Sequence, residues 1–241
     1  MDKLHLDQHI SGQFNADLES LKTQLLEMGG MVEQQVISAI KAITTGDGAL
    51  AEQVILTEQE IDEFEVQLDE HCTTILVRRQ PAASDLRMVL SVLKIIRDLE
   101  RMGDEAHKVV KMSLQISEEG EAPRGYMELR HVGTLVHQMV INALDCFARY
   151  DVKLALSVAK EDNRVDQEYK SAMRELATYM MEDPRSISRV MNVIFALRSL
   201  ERIGDHARNI AEHVIFLVRG LDVRHSSIKE MQAKLNEYDD E

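Results

Sequence analysis

The sequence repeats itself after about a hundred residues, and this internal duplication limits the fold more than any other feature. The motif Glu-Arg-Met-Gly-Asp at residues 100–104 returns as Glu-Arg-Ile-Gly-Asp at residues 201–205, and Pro81 returns as Pro184. Matching positions are separated by 101 to 104 residues. A repeat of this length is a duplicated domain rather than a solenoid unit, so the chain is expected to form two similar units.

Five turn signals divide the chain into six segments of roughly 30 residues each. Pro81, Pro123 and Pro184 each interrupt a helical pattern among polar residues, and residues 46–48 and 149–151 mark two further turns. The composition has 44% hydrophobic residues, only 4% aromatic residues and three prolines, which is typical of an all-helical protein. Long helices with short connections pack best as antiparallel bundles.

The sequence therefore predicts an all-α fold made of two tandem three-helix bundles. The first is assigned to residues 1–120 and the second to residues 121–241. A short acidic C-terminal tail, from about Arg224 onward, is expected to be partly frayed and solvated.

The acidic composition excludes two classes of partner. The chain carries 42 Asp and Glu against 28 Lys and Arg, a formal net charge of −14, and has no basic block. Nucleic acid and anionic lipid are bound by clustered basic residues, so neither is expected as a partner. No apolar run approaches the roughly 20 residues of a membrane helix. The first residues contain no apolar signal region, so a cytoplasmic location is expected.

The repeated motif places two carboxylates on one face of a helix. Glu100 and Asp104 are four residues apart, as are Glu201 and Asp205, and like charges at this spacing weaken a helix. The glycine inside each motif costs about 1 kcal/mol more than alanine would. The carboxylates continue apolar stripes, which are Leu86, Val89, Leu93 and Ile96 before the first motif and Ile187, Val190, Ile194 and Leu197 before the second. They are therefore expected to point towards the bundle.

A second acidic pair in each half lies at the same height as the repeated motif. Residues equidistant from the turn of an antiparallel helix pair face each other, and Asp62 and Glu100 are equidistant from Pro81. The same relation holds around Pro184 in the second half. Two equivalent candidate metal sites result, formed by Glu58, Asp62, Glu100 and Asp104 in the first half and by Asp162, Asp166, Glu201 and Asp205 in the second.

Four convergent carboxylates suit a hard or borderline cation such as Fe, Mn, Mg or Ca. His107 is a weaker candidate ligand in the first half, where the second half has Arg208, and Asn209 is a candidate extension of the second site. The alternative is a set of solvated acidic faces neutralised by salt bridges to neighbouring arginines, which are Arg97, Arg101, Arg198 and Arg202. In that case Gly103 and Gly204 would simply be helix-crossing points.

The duplicated Glu-Arg-x-Gly-Asp motif, together with other segments, resembles the PhoU family of phosphate-specific transport system accessory proteins. The turn Arg79-Gln80-Pro81-x-x-Ser84-Asp85-Leu86-Arg87, the segment Tyr179–Asp183 and the start His9–Phe14 carry the same resemblance. It covers nearly the whole chain, up to about Arg224. Met102 in the first motif, and Lys108 where the second half has Asn209, depart from the more regular pattern.

The resemblance implies a cytoplasmic, dimeric, non-enzymatic negative regulator of the phosphate-starvation response and of phosphate uptake. Its implied partners are the ATPase subunit of a phosphate ABC transporter and a sensor histidine kinase, with only peripheral contact with membrane complexes. It also implies that the acidic motifs bind divalent or trivalent metal ions, and the candidate metals are Fe, Mn, Mg and Zn. These implied metal ligands are Glu100, Asp104, Glu201 and Asp205, with Glu58, Asp62, Asp162 and Asp166 as their partners.

Two other functions fit parts of the sequence. A di-iron carboxylate enzyme requires Glu-x-x-His on two helices, and the chain has this spacing only at Glu128 and His131. A purely structural helical scaffold without metal would also be compatible with the helical pattern. No P-loop, dinucleotide-binding glycine motif or nucleophile elbow is present in the sequence.

Overall fold

The structure, a computed structural model, describes residues 12–81, 83–120 and 125–240. Over these ranges the chain forms α-helices and one short 3₁₀ helix, and no strand. The helices are α1 (Gly12–Thr45), α2 (Gly48–Arg79), α3 (Ala83–Glu119), α4 (Tyr126–Arg149), α5 (Val152–Glu182), α6 (Ile187–Arg219) and α7 (Ile228–Asp240), with the 3₁₀ helix at Pro184–Ser186. The predicted all-α class is confirmed.

The turns that separate the helices are built alike in the two halves. Asp47 caps the start of α2 by accepting a hydrogen bond from the Leu50 amide, and Asp151 caps α5 by accepting from the Lys153 and Leu154 amides. A capping carboxylate satisfies backbone N–H groups that the helix itself leaves without partners. These two predicted turns therefore occur where the duplication places them.

The proline turns differ from one another. After α2, Gln80 takes a left-handed backbone conformation and ends the helix before Pro81. Pro184 begins the 3₁₀ helix, and the Asp183 side chain accepts a hydrogen bond from the Arg185 amide. The turn predicted at Pro123 lies outside the described residues. The predicted boundary between residues 120 and 121 adjoins that gap and stays a prediction.

Each half is a three-helix bundle in which every helix contacts the other two. Helices α1, α2 and α3 form the first bundle, and α4, α5 and α6 form the second. The halves join where α3 packs against α6 and α1 packs against α4, and the α3–α6 contact is the most extensive in the molecule. A continuous apolar core therefore runs through both halves. Leu86 and Ile187, at the starts of the two predicted stripes, are exposed rather than covered.

The expectation of a frayed acidic C-terminal tail was wrong for Ile228–Asp240, which forms α7. Ser227 and Glu230 form a reciprocal cap, in which the Ser227 amide donates to Glu230 and the Glu230 amide donates to Ser227. Met231 and Leu235, one helical turn apart, are buried, and α7 packs against α5. Capping and this short apolar stripe outweigh the acidic composition of the segment.

Candidate metal centres

The first candidate site lies between α2 and α3, close to α1. Glu58 on α2 is buried, Glu100 and Asp104 on α3 are half-buried, and Asp62 is exposed. Burial raises the pKa of the Glu58 carboxyl to about 7, against the opposing effect of a hydrogen bond from Gln35. The negative charges of Asp62, Asp104 and Glu100 raise that pKa further. The four carboxylates predicted for this half are therefore neighbours.

Gln35 of α1 is a member of this site that the sequence analysis missed. Its amide nitrogen donates hydrogen bonds to Glu58 Oε2 and to the Val54 carbonyl oxygen. A carbon atom added at Gly103 would lie 2.9 Å from Glu58 Oε2 and 3.0 Å from Gln35 Oε1. Glycine at position 103 therefore leaves room for these two side chains.

Basic side chains neutralise the exposed edge of the first site. Arg101 lies 3.3 Å from Glu100 and 3.2 Å from Asp104. Burial and the charge of Asp104 raise the pKa of Glu100, and Arg101 opposes them. Glu65 is a further carboxylate near this edge, and burial and the charges of Asp69 and Asp62 raise its pKa. Glu65 was not predicted as a site residue, because Tyr169 occupies the corresponding position of the second half and the pair is not repeated.

The second candidate site lies between α5 and α6. Asp162 and Glu201 are buried, Asp166 is half-buried and Asp205 is exposed. Burial raises the pKa of Glu201 to about 7, as do the charges of Asp205, Asp166 and Asp162. Burial also raises the pKa of Asp205, with the charges of Asp162 and Asp166 acting in the same direction. The predicted set is again brought together.

Arginine side chains occupy more of the second site than of the first. Arg208 contacts Asp162 at 3.0 Å through Nη1 and Glu212 at 3.0 Å through Nε, and both carboxylates are buried. Arg198 contacts Glu201 at 2.7 Å, and Lys170 contacts Asp166 at 3.2 Å. Gly204 has ordinary spacing around it, since an added carbon would lie 3.7 Å from its nearest neighbour, in Val165. Each site therefore has its own set of four carboxylates, but the side chains around the two sets differ.

The donor atoms at both sites fit a hard or borderline cation. Among the described residues no three His, Cys, Asp or Glu side chains already converge on one point as metal ligands. Buried oxygen atoms without hydrogen-bond partners are nevertheless present at both sites, namely Gln35 Oε1, Glu58 Oε1 and Glu201 Oε2. A buried acceptor without a donor is unfavourable, and a cation would satisfy it.

The weaker candidates have other partners. Asn209 donates to Asp98 Oδ1 at 3.0 Å, and Lys108 contacts Glu105 at 3.0 Å, so neither pairs with the carboxylates of its own site. His107 is half-buried near the first site, where burial and Lys111 lower its pKa. His131 lies 3.5 Å from Glu168. The arrangement around His131 gives no support to a di-iron centre, which would require the Glu-x-x-His spacing on a second helix.

A polar cluster between α3 and α6 joins the two halves. The buried Asp98 carboxylate accepts hydrogen bonds from His206 at 2.9 Å and from Asn209 at 3.0 Å, and lies 3.2 Å from His213. Burial acts to raise the pKa of Asp98, but the hydrogen bonds from the two histidines and Asn209 outweigh it and lower the pKa. The sequence analysis had no signal for this cluster, because its residues share no motif and meet only when the halves pack.

The chain is similar to known proteins over almost its whole length. The family profile described as PhoU domain matches residues 25–112 and 129–214. The phosphate-specific transport system accessory protein PhoU homolog of Pseudomonas putida is 58% identical over 235 residues, which are 98% of this chain and 92% of that protein. The accessory protein PhoU of Escherichia coli K12 is 46% identical over 225 residues, 93% of each chain.

Solved structures give the same result. The crystal structure of PhoU from Pseudomonas aeruginosa matches with a TM-score of 0.85 and 60% identity, covering 86% of this chain and all of that one. The phosphate transport system regulatory protein PhoU from Streptococcus pneumoniae matches with a TM-score of 0.80 and 30% identity, over 87% of this chain and 99% of that one. Within the described residues no helix has the length and apolar character to cross a membrane. These relatives are named as accessory or regulatory proteins rather than enzymes, and the chain belongs to the PhoU family of phosphate-specific transport system accessory proteins.

Proposed function

We propose that this protein is a cytoplasmic negative regulator of the phosphate-starvation response and of phosphate uptake. The observation that carries this proposal is the 58% identity, over 98% of the chain, to an accessory protein of a phosphate-specific transport system. The protein acts as an adaptor between the ATPase subunit of a phosphate ABC transporter and a sensor histidine kinase. It works as a homodimer and reaches the membrane only through these complexes.

An adaptor of this kind transmits a signal by binding its partners differently in different states. Coupling requires that the transporter in its two states, or the kinase in its two states, has different affinity for the adaptor. The long helices offer extended surfaces to partner helices, and the net charge of −14 favours partner surfaces that carry basic residues. No catalytic step is required of the protein.

Metal bound at the two acidic sites is part of this proposal. The candidate ligands are Glu58, Asp62, Glu100 and Asp104 in the first half and Asp162, Asp166, Glu201 and Asp205 in the second. The buried oxygen atoms without partners at both sites support it, as does the all-oxygen donor set. A bound Fe, Mn, Mg or Zn ion would neutralise clustered negative charge and hold two helices of one bundle in a fixed relation.

Gene deletion followed by complementation tests the regulatory role. A phosphate-starvation reporter is followed in high phosphate, first in the deletion strain and then after the wild-type gene is returned. We expect constitutive expression in the deletion strain and restored repression on complementation. Normal repression in the deletion strain, with no second copy of the gene present, would overturn the proposal.

A binding experiment tests the two partners separately. The full chain is used to capture the purified transporter ATPase subunit and, in a parallel experiment, the cytoplasmic part of the sensor kinase. We expect saturable binding of both, weakened by salt if charge complementarity contributes. If the deletion strain loses repression but the chain binds neither protein, the regulatory role stands and the adaptor mechanism is rejected.

A further inference from the structure

The side-chain oxygen of Gln35 has a fixed orientation at the first site. The Gln35 amide nitrogen donates to two acceptors, Glu58 Oε2 and the Val54 carbonyl oxygen. Turning the amide over would place its oxygen against those two acceptors, so the observed orientation is favoured. Gln35 Oε1 and Glu58 Oε1 are both left without hydrogen-bond partners, although Gln35 is only 2% exposed and Glu58 only 6% exposed.

The two side chains meet at a gap left by a glycine. Gln35 Oε1 and Glu58 Oε2 both lie within about 3 Å of the position that a side-chain carbon would occupy at Gly103. The next residue is Asp104, and the negative charge of its carboxylate raises the pKa of Glu58. Buried oxygen atoms of Gln35 on α1 and Glu58 on α2 therefore lie next to the motif on α3. A cation bound there would have several oxygen ligands.

The second site differs at the two corresponding positions. Met139, 104 residues after Gln35, contributes a sulfur atom that lies 3.8 Å from the side-chain position at Gly204. Arg208, 101 residues after His107, bonds to the buried carboxylates of Asp162 and Glu212. The second site thus lacks the amide oxygen and already contains a positive charge.

We propose that the two acidic sites are unequal. The first binds a hard or borderline divalent cation, with Gln35 Oε1 and the Glu58 carboxylate among its ligands, whereas the Arg208 guanidinium takes the place of a cation in the second. This inference rests on the metal binding put forward under the proposed function, and it favours the half whose motif departs from the more regular pattern.

Electrostatics explains the difference between the sites. A guanidinium held by two buried carboxylates repels an incoming cation and uses the oxygen atoms that the cation would need. A methionine sulfur is a soft ligand and adds little for Mg or Mn, whereas an amide oxygen is a suitable ligand. At the first site the position corresponding to Arg208 is His107, and the basic residue that contacts the carboxylates is Arg101. Its side chain is half exposed where it contacts Glu100 and Asp104, so it can move away at low cost.

Exchanging the differing residues between the halves tests this proposal. The full chain is dialysed against MnCl₂, bound Mn is measured by elemental analysis, and its surroundings are followed by electron paramagnetic resonance. Gln35→Met with His107→Arg gives the first half the residues of the second. Met139→Gln with Arg208→His makes the opposite exchange. Circular dichroism and thermal unfolding check that each variant is folded.

The two exchanges are expected to act in opposite directions. The first should weaken Mn binding by at least about tenfold, and the second should raise the Mn content to roughly twice that of wild type. The controls are Gln34→Met, an exposed neighbour of Gln35, and Arg164→Gln, an exposed arginine paired with Glu161, and both should bind Mn as wild type does.

Any other outcome would reject the proposal that the two acidic sites bind metal unequally. Equal Mn content in wild type and in the Gln35→Met/His107→Arg variant would overturn the role of the first site. No gain in the folded Met139→Gln/Arg208→His variant would overturn the role of Arg208. If no protein binds Mn, the metal part of the proposed function fails together with this inference, while the reporter experiment on the deletion strain is unaffected.

Discussion

At the scale of single residues, the two glycines of the repeated motif have different roles. Gly103 faces the oxygen atoms of Glu58 and Gln35 at 2.9 and 3.0 Å, whereas the surroundings of Gly204 leave ordinary contact distances. The same five-residue motif therefore has two side-chain ends packed closely against its glycine in one half and none in the other. The cause is the neighbouring helix of each bundle: α1 contributes Gln35 to the first site, whereas α4 contributes Met139 to the corresponding place in the second.

Replacing each glycine by alanine should separate these roles. Gly204→Ala is expected to raise the free energy of unfolding by about 1 kcal/mol, because alanine favours a helix over glycine. Gly103→Ala should gain less or lose stability, because Glu58 and Gln35 must move. Urea unfolding of both variants measures the difference, and equal gains would contradict the close approach seen at Gly103.

The raised pKa values of two buried carboxyls predict how the metal-free protein responds to pH. Glu58 and Glu201 have pKa values raised to about 7, whereas in the unfolded chain a glutamate titrates near 4.5. The folded state holds the protons longer, so stability is greatest below the unfolded value and falls as pH rises through about 7. Between pH ~5 and pH ~8 the loss should be on the order of 2 kcal/mol for each of the two carboxyls.

Glu58→Gln tests that pH dependence. The variant cannot ionise at this position, so its stability should fall less than that of wild type over the same pH range. Glu63→Gln, an exposed glutamate on the same helix, serves as the control and should follow wild type. Urea unfolding in a chelator-containing buffer at several pH values gives the measurement, and identical pH profiles for wild type and Glu58→Gln would count against burial of an ionisable Glu58.

At the scale of helices, the polar cluster between α3 and α6 links the two halves. Replacing Asp98 by alanine leaves His206, His213 and Asn209 without their common acceptor and should cost about 2 kcal/mol of unfolding free energy. Asp98 has a lowered pKa, so its contribution is present above the ordinary aspartate value near 3.8 and is lost as pH falls further.

The difference between wild type and Asp98→Ala is therefore expected at neutral pH and should shrink in acid. Asp145→Ala, at an exposed pair with Arg149, provides a control with little effect at any pH. Denaturant unfolding from neutral to acidic pH measures both variants. A wild-type advantage that grows on acidification would be the opposite of this account.

Helix α7 provides a second test at the level of elements. Met231→Ala removes a fully buried side chain between α7 and the second bundle and should cost about 3 kcal/mol. Glu237→Ala, exposed on the same helix, should cost little. Chemical denaturation compares the two, and equal stabilities would mean that α7 does not pack as described.

Much of this architecture could be predicted from the sequence, for identifiable reasons. A short turn fixes the relative heights of two antiparallel helices, so the position of Pro81 was enough to place Asp62 beside Glu100. Gln35 could not be placed in this way, because side-chain packing rather than a turn determines which α1 residue faces α2 and α3. The pairing of Arg208 with Asp162 was not predicted, because it depends on a long side chain that reaches across to α5. Helix α7 was missed because the Ser227 and Glu230 cap was not recognised.

At the scale of the whole molecule, duplication has produced two bundles that share one core but differ at their acidic sites. The two repeated motifs lie on α3 and α6, the helices that join the halves, and Arg202 of the second motif contacts Glu105 of α3 at 3.1 Å. A change in charge at either site therefore acts on a helix that forms the contact between the two bundles. This arrangement is the physical basis on which metal binding could alter the surface that a partner protein meets.

Complementation with a variant of the acidic motifs tests the central claim most directly. The deletion strain receives wild type, the Asp104→Ala/Asp205→Ala variant, or a control with the exposed residues Glu118 and Glu175 changed to alanine. Protein levels are matched, and a phosphate-starvation reporter is followed in high phosphate. The account predicts repression by wild type and by the control, and constitutive expression with the motif variant. Full repression by the motif variant would contradict the claim that the acidic sites take part in regulation.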